Sequence, residues 1–191
     1  SLAGKVLRLK DDGSVPLDNP FDNAVYSYGH RNSQGIAWDN KGSLWATEHG
    51  RSGVLSGLDE LNLIEKGKNY GWPIIQGDEK KEGMESSILH SGPDVTWAPA
   101  GLAFFPASQS LGAGGSGSLF FGGLRGQSIY QATIINDKKV ELKIHFPEQF
   151  GRIRAVVLGP DSNLYITTSN TDGRGKPKQN DDKIIKIKLT D

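Results

Sequence analysis

Between Tyr28 and Gly35 the chain reads Tyr-Gly-His-Arg-Asn-Ser-Gln-Gly, a stretch dense in residues able to do chemistry. Arg31 offers a planar cationic fork, Asn32 and Gln34 offer amides that both donate and accept, and His30 offers a titratable ring. The flanking glycines let the backbone approach a ligand closely. Such a loop suits a flat, anionic, oxygen-rich molecule; the competing reading is a surface turn whose amides satisfy their own backbone. Further forks stand at Arg125, Arg152 and Arg154. Converging from separate segments, they would bind a ligand with several carboxylates bidentately, whereas each taken singly is an ordinary solvated or ion-paired residue. Asp59 and Glu60, with backbone carbonyls from the loop around Tyr70, could supply the hard oxygen ligands that calcium takes, the alternative being two solvated acids at a strand entrance. His30, His49, His90 and His145 are too far apart for a zinc pattern. No nucleophile elbow, phosphate-binding glycine loop or dinucleotide fingerprint is present.

Composition narrows the classes of partner. The chain has 191 residues with 22 basic and 22 acidic side chains, so no net field favours nucleic acid or an anionic membrane. No apolar run reaches the length of a membrane-spanning helix. The absence of cysteine excludes disulfides and thiolate metal sites and leaves the compartment open. Twenty-five glycines indicate many tight turns and favour β structure. An opening on Ser1, directly into a strand-like pattern, suggests a chain cut from something longer.

The elements that must position these residues repeat along the chain. Ile36-Ala37-Trp38, the turn Asp39-Asn40-Lys41-Gly42 and the return strand 43–47 form a hairpin that leaves through Glu48-His49-Gly50. The same order of apolar run, turn and return strand recurs at 156–167. It recurs again at 101–121, with a longer glycine-serine connection from Ser108 to Ser118. At the two ends, Gly4-Lys5-Val6-Leu7-Arg8-Leu9 matches Asp182-Lys183-Ile184-Ile185-Lys186-Ile187. Strands are also expected over 58–64, 128–134 and 140–144, with an exposed polar excursion at 80–87. Repeated four-stranded units with uneven connections predict an all-β fold, a β-propeller of which about three blades are present in a single portion spanning 1–191. In a propeller the loops entering and leaving the innermost strands gather around the central channel. Arg31 and Asn32 precede the first inner strand, Trp97-Ala98-Pro99 the second, and Gly151-Arg152-Ile153-Arg154 the third; Arg125 follows a return strand at the position matching His49-Gly50.

Gly-His-Arg-Asn-Ser-Gln-Gly-Ile-Ala-Trp at 29–38, Leu-Trp-Ala-Thr-Glu-His-Gly at 44–50, Asp-Glu-Leu-Asn at 59–62 and Asn-Tyr-Gly-Trp-Pro at 69–73 together resemble the soluble glucose/sorbosone dehydrogenase family. The likeness continues through Trp-Ala-Pro-Ala-Gly-Leu-Ala-Phe at 97–104, Gly-Gly-Leu-Arg-Gly at 122–126, Gly-Arg-Ile-Arg at 151–154 and Thr-Ser-Asn-Thr-Asp-Gly-Arg-Gly at 168–175. The resemblance implies a six-bladed propeller of the quinoprotein glucose dehydrogenase type that oxidises aldoses at C1 with pyrroloquinoline quinone, a tricarboxylate, as hydride acceptor. It implies that Arg31, Asn32, Arg125, Arg152 and Arg154, with Trp97 beside them, hold that cofactor. It further implies a cofactor calcium on the backbone carbonyls of Gly50 and Arg51, where the family commonly carries Pro at the second position, and a structural calcium on Asp59, Glu60 and the Tyr70 carbonyl. The family's general-base histidine lies in an early blade that would precede Ser1, so the chain resembles the C-terminal half and carries no catalytic residue of its own. On this reading it is inactive alone, and its uncovered sheet edges call for self-association into a closed ring or for a missing N-terminal half. An aldose substrate, an electron acceptor and a periplasmic or extracellular home are implied by the family alone. Two other readings stay open: a non-catalytic propeller module that binds a ligand or partner, and a calcium-dependent lactonase-like propeller hydrolase, whose channel would need carboxylate and Asn ligands.

Overall fold

The computed structural model describes residues 1–53, 56–106 and 117–188. All its regular elements are strands, arranged as antiparallel meanders. β1 (Lys5–Leu7) pairs with β2 (Val25–Tyr28). Next comes a four-stranded sheet of β3 (Ser33–Trp38), β4 (Leu44–Glu48), β5 (Glu60–Ile64) and β6 (Leu89–His90). A second follows from β7 (Pro99–Pro106), β8 (Gly117–Gly123), β9 (Ile129–Asn136) and β10 (Lys139–His145). The last sheet holds β11 (Ile153–Leu158), β12 (Leu164–Thr168) and β13 (Ile184–Ile187). The molecule is thus a partial β-propeller: two complete blades, flanked by a two-stranded and a three-stranded one. β13 is the third strand of its blade, and β1 pairs with the strand that follows it as β5 pairs with β6, which accounts for the likeness between the two ends.

The recurring hairpin closes by recurring bonds. In the first blade Asp39 N donates to the Ser43 carbonyl at 3.0 Å, and the Trp45 indole donates to Asp39 at 3.1 Å. In the last, Gly159 N donates to the Asn163 carbonyl at 2.8 Å, and the Tyr165 hydroxyl donates to Asp161 at 2.9 Å. The acid has moved by two positions within the turn, yet still anchors the aromatic of the return strand.

Strands β3, β7 and β11 lie side by side as the innermost of their blades. Core side chains fill the spaces between blades. Trp45, Leu61, Trp97, Leu119 and Phe121 pack between the first complete blade and the second, while Phe105, Phe120, Ile153, Leu164 and Ile166 pack between the second and the last. Leu44, Ala46, Ile64 and Tyr70 pack against Val6 and Tyr26 of the two-stranded unit. That unit does not cover all of β3, for Trp38 is 60% exposed and Ile36 48%.

Three expectations change. Residues 25–28, where no strand was expected, form β2, because Tyr28 and Ser27 find cross-strand partners in Lys5 and Val6. The strand expected from residue 58 begins at Glu60, since Leu58 adopts φ of +55° and cannot extend a ladder. β6 has only two residues and left no periodic signal. Residues 108–116 of the glycine-serine connection lie outside the described residues.

Candidate functional site

At one end of the inner strands, each of the three blades that have an inner strand closes on itself with the same backbone bond. His49 N donates to the Asn32 carbonyl at 3.0 Å, Leu124 N to the Ala98 carbonyl at 3.0 Å, and Ser169 N to the Arg152 carbonyl at 2.9 Å. These bonds make Asn32, Ala98 and Arg152 equivalent, and Gly50, Arg125 and Asn170 equivalent one residue past the donors. Each inner strand also begins with a break in register: between Ser33 and Gly35, between Pro99 and Leu102, and between Ile153 and Ala155. A β-bulge of this kind frees one residue from the ladder and re-aims its side chain. In the first blade the freed residue is Gln34, and in the last it is Arg154.

Arg31 is set from beneath by a buried acid. Glu48, 4% exposed, accepts the Arg31 backbone N–H, His30 Nδ1 at 3.0 Å and the Ser33 hydroxyl at 3.1 Å. His30 Nε2 pairs with Ser27 Oγ at 2.8 Å, and its ring stacks on Tyr70 at 4.6 Å. Both ring nitrogens are therefore spent on structure. Gly29, with φ of +75°, lets this loop press against Asn69 and Gly71, where a Cβ would come within 2.1 Å of the Asn69 side chain. The Arg31 guanidinium lies over Trp72 at 5.4 Å and donates to Ser52 Oγ at 3.1 Å and to the His49 carbonyl at 3.4 Å. Asn32 is exposed and accepts from Gln34 Nε2 at 3.3 Å.

The other arginines differ in how much of their fork is free. Arg125 is exposed and gives one bond, from Nη1 to Ser56 Oγ at 2.9 Å. Arg154 is half exposed, with Asp172 3.7 Å away. Arg152, by contrast, is 8% exposed and fully engaged, donating to Asp172, to the Ser169 carbonyl at 3.2 Å and to the Leu124 carbonyl at 3.0 Å. The Trp97 ring is a core residue packed on Phe121 and Tyr130, so what it presents at the rim is its backbone. The backbone position of Trp97 was legible in the sequence, but the burial of its ring was not.

His49 sits on the same rim. Its Nε2 lies 2.8 Å from the Pro99 carbonyl, which fixes the tautomer with the proton on Nε2 and leaves Nδ1 as an acceptor. Burial lowers its pKa from the ordinary histidine value; the Pro99 bond and Asp59 oppose that, while Arg31 and Arg154 reinforce it.

The expected metal ligands separate into two places. Among the described residues no group of three or more His, Asp or Glu side chains converges as a metal cluster. Asp59 already has three backbone donors, from Gly50 at 2.9 Å, Trp97 at 2.6 Å and Ala98 at 2.8 Å. Glu60 meets weaker partners, Asn62 Nδ2 at 3.2 Å and Gly77 N at 3.3 Å, and stands opposite Glu48 on the neighbouring strand. Beside Gly77, the buried Gln76 Oε1 has no hydrogen-bond partner. Glu60, with two long bonds, keeps more acceptor capacity for a hard cation than Asp59, whose oxygens already take three backbone donors. Gly50 is packed too tightly for any side chain, since a Cβ would fall 2.1 Å from the Leu58 carbonyl oxygen. Arg51 N bonds the Gly57 carbonyl at 2.9 Å, and its own Nε is buried without a partner.

Comparison with known proteins places these features in context. The family model described as Glucose / Sorbosone dehydrogenase matches residues 1–184. The aldose sugar dehydrogenase YliI of Escherichia coli is 34% identical over 197 residues, covering 90% of this chain and 50% of that protein. Quinoprotein glucose dehydrogenase B of Acinetobacter calcoaceticus is 49% identical over 84 residues, or 42% of this chain and 17% of that one. The structure of the PQQ-bound aldose sugar dehydrogenase from Streptomyces coelicolor superposes with a TM-score of 0.83 at 37% identity, covering 97% of this chain and 52% of that one. The chain spans about half the length of the curated relatives it matches.

Proposed function

This chain belongs to the glucose/sorbosone dehydrogenase family, and from that premise we propose that its rim is the cofactor cradle of a quinone-dependent aldose dehydrogenase. The observation that carries the reading is the set of unspent guanidinium valences on one rim, contributed by Arg31, Arg125 and Arg154 from three successive blades. Pyrroloquinoline quinone, when bound, would supply the hydride acceptor for oxidation of an aldose at C1.

The chain's own residues bind and orient. Arg31, Arg125 and Arg154 would take the carboxylates of the tricarboxylate as forks, and Asn32 with Gln34 would offer amide bonds to its ring oxygens. Arg152, already saturated by protein acceptors, contributes charge and holds the loop that carries Arg154. A cofactor calcium would rest on the Gly50 and Arg51 carbonyls, and a structural one on Glu60, the Tyr70 carbonyl and Gln76 Oε1. No general base is assigned in this chain: His30 has both nitrogens committed, and His49, which spends Nε2 on the Pro99 carbonyl, does not stand at the position that the family resemblance gives the base. The uncovered face of β3, with Trp38 and Ile36, is the surface that completing the ring would bury. A lactonase-like metal channel is disfavoured because the rim is lined by arginines rather than carboxylates.

The test is a titration of the purified chain with pyrroloquinoline quinone and calcium, followed by absorbance and by aldose-dependent dye reduction. Saturable binding supports the cradle, turnover would add a base not assigned here, and no binding would sink the reading.

A further inference from the structure

Asp59 stands at a junction between blades. Its carboxylate is buried, at 1% exposed, and its two oxygens accept three backbone N–H groups: Oδ1 from Gly50, and Oδ2 from Trp97 and Ala98. The donors come from two different blades. Its own backbone is pinned as well, for its N–H donates to Ser91 Oγ at 3.0 Å and its carbonyl accepts Ser91 N at 2.8 Å.

What lies beyond the donors gives the junction meaning. The Gly50 N–H shares its peptide unit with the His49 carbonyl, which accepts Arg31 Nη1. An anion on the N–H end of a peptide strengthens the carbonyl at the other end as an acceptor. On the second blade, the Trp97 carbonyl accepts the backbone N–H groups of Arg125 and Gly126 at 3.1 and 3.0 Å. Ala98 holds φ of +46°, a conformation that a residue with a side chain keeps only when its surroundings impose it, and the bond to Asp59 does so. A single carboxylate thereby links the loop that holds Arg31 to the loop that holds Arg125.

We propose that Asp59 is a positioning residue for the tricarboxylate cofactor: it locks the Gly50 peptide to the Trp97–Ala98 turn and so fixes Arg31 relative to Arg125. This role rests on the quinone reading above and replaces a metal-ligand role for this side chain. In Asp59→Asn the side chain keeps its volume but offers one acceptor oxygen and turns an NH2 group toward backbone donors.

The experiment is a titration with pyrroloquinoline quinone, followed by its absorbance, on the unsubstituted protein, Asp59→Asn, Arg31→Ala and the double variant, with circular dichroism to confirm folding. Asp59→Asn is expected to weaken quinone binding by about tenfold or more, and that loss to shrink to about threefold or less in the Arg31→Ala background, since residues acting through one another are not additive. A general loss of stability would give the same fold-loss in both backgrounds. Should Asp59→Asn fail to fold, Asp59→Glu, which keeps both oxygens on a longer arm, is read in the same cycle. Binding by the Asp variant within about twofold of the unsubstituted protein, or equal losses in both backgrounds, overturns the proposal. No quinone binding by the unsubstituted protein overturns the cofactor reading itself, and this role with it.

Discussion

Arg152 holds Asp172 through two nitrogens, Nε at 3.2 Å and Nη2 at 2.8 Å, both on the same carboxylate oxygen. That oxygen also lies 3.7 Å from Arg154, so one acid serves two arginines of the rim. The bond from Arg152 first, and then the Arg174 backbone N–H, hold the Asp172 carboxyl down at about 2. Its folded value lies below the ordinary 3.8, so the stability it contributes is present above about pH 4 and is lost as pH falls toward 2. Asp172→Asn is therefore expected to flatten the acid limb of a denaturation-midpoint profile between those values. An unchanged limb would mean that the pair adds nothing beyond geometry.

Arg152 itself reaches deeper than its acid partner. Replacement by Ala strips donors from the buried Leu124 carbonyl and the part-buried Ser169 carbonyl, at a cost of about 2–3 kcal/mol. Lys keeps the charge but cannot span those acceptors with a planar fork, so Arg152→Lys is expected to recover less than half of the loss. Urea unfolding of both variants checks this, and full recovery by Lys would reduce the role to charge alone.

The repeat was legible because turns and return strands carry side-chain patterns that survive between blades. Trp45 and Tyr165 mark equivalent strands, and each bonds the acid of its own turn. The placement of Arg31, Arg125, Arg152 and Arg154 on one rim followed from those repeats. What the sequence could not show was how far each side chain was already committed. Nothing in the local order around Asp59 distinguishes a metal ligand from an acceptor of three N–H groups, because two of its donors are about forty residues away in another blade. The bulges that free Gln34 and Arg154 were equally hidden, since a one-residue slip in pairing leaves no compositional trace. β2 was missed because the strand it pairs with, β1, has only three residues.

Glu48 accepts three donors from a buried position, and the loop that carries Arg31 depends on it. Glu48→Gln keeps the shape but offers an NH2 group where an acceptor is needed, so at least one buried donor loses its partner. A loss of about 2–3 kcal/mol follows. Ser33→Ala, which removes only the outermost of the three donors, is expected to cost about 1 kcal/mol or less. Equal losses in urea unfolding would remove the special place given to Glu48.

Burial lowers the His49 pKa below the ordinary 6.5, so between its folded value and 6.5 the unfolded chain binds more protons than the folded one. Stability should therefore decline as pH falls from about 7 through that window. His49→Gln, whose amide can still donate to the Pro99 carbonyl, is expected to lose this slope while keeping most of the stability at pH 7. Thermal midpoints across pH 5 to pH 8 test it, and a slope unchanged in the variant would assign the effect to other groups.

Glu60 is the acid whose surroundings favour a cation. Burial pushes its carboxyl above the ordinary value, the bonds from Asn62 and Gly77 pull it back, and Glu48 on the facing strand raises it further. Two carboxylates opposed across a strand pair repel, and their charge is relieved either by a proton or by a bound cation. Calcium should accordingly raise the thermal midpoint of the protein, by the equivalent of about 2.7 kcal/mol at a hundredfold excess over its dissociation constant. A chelator should reverse the gain. Glu60→Gln relieves the repulsion without a metal, so it should leave the calcium-free midpoint unchanged or higher while abolishing most of the response to calcium. Gln76→Ala, removing the unpartnered buried oxygen, should weaken the response with little effect on the calcium-free protein. A calcium response preserved in Glu60→Gln would move the metal away from this corner, and leave the carbonyls of Gly50 and Arg51 as the remaining place for it.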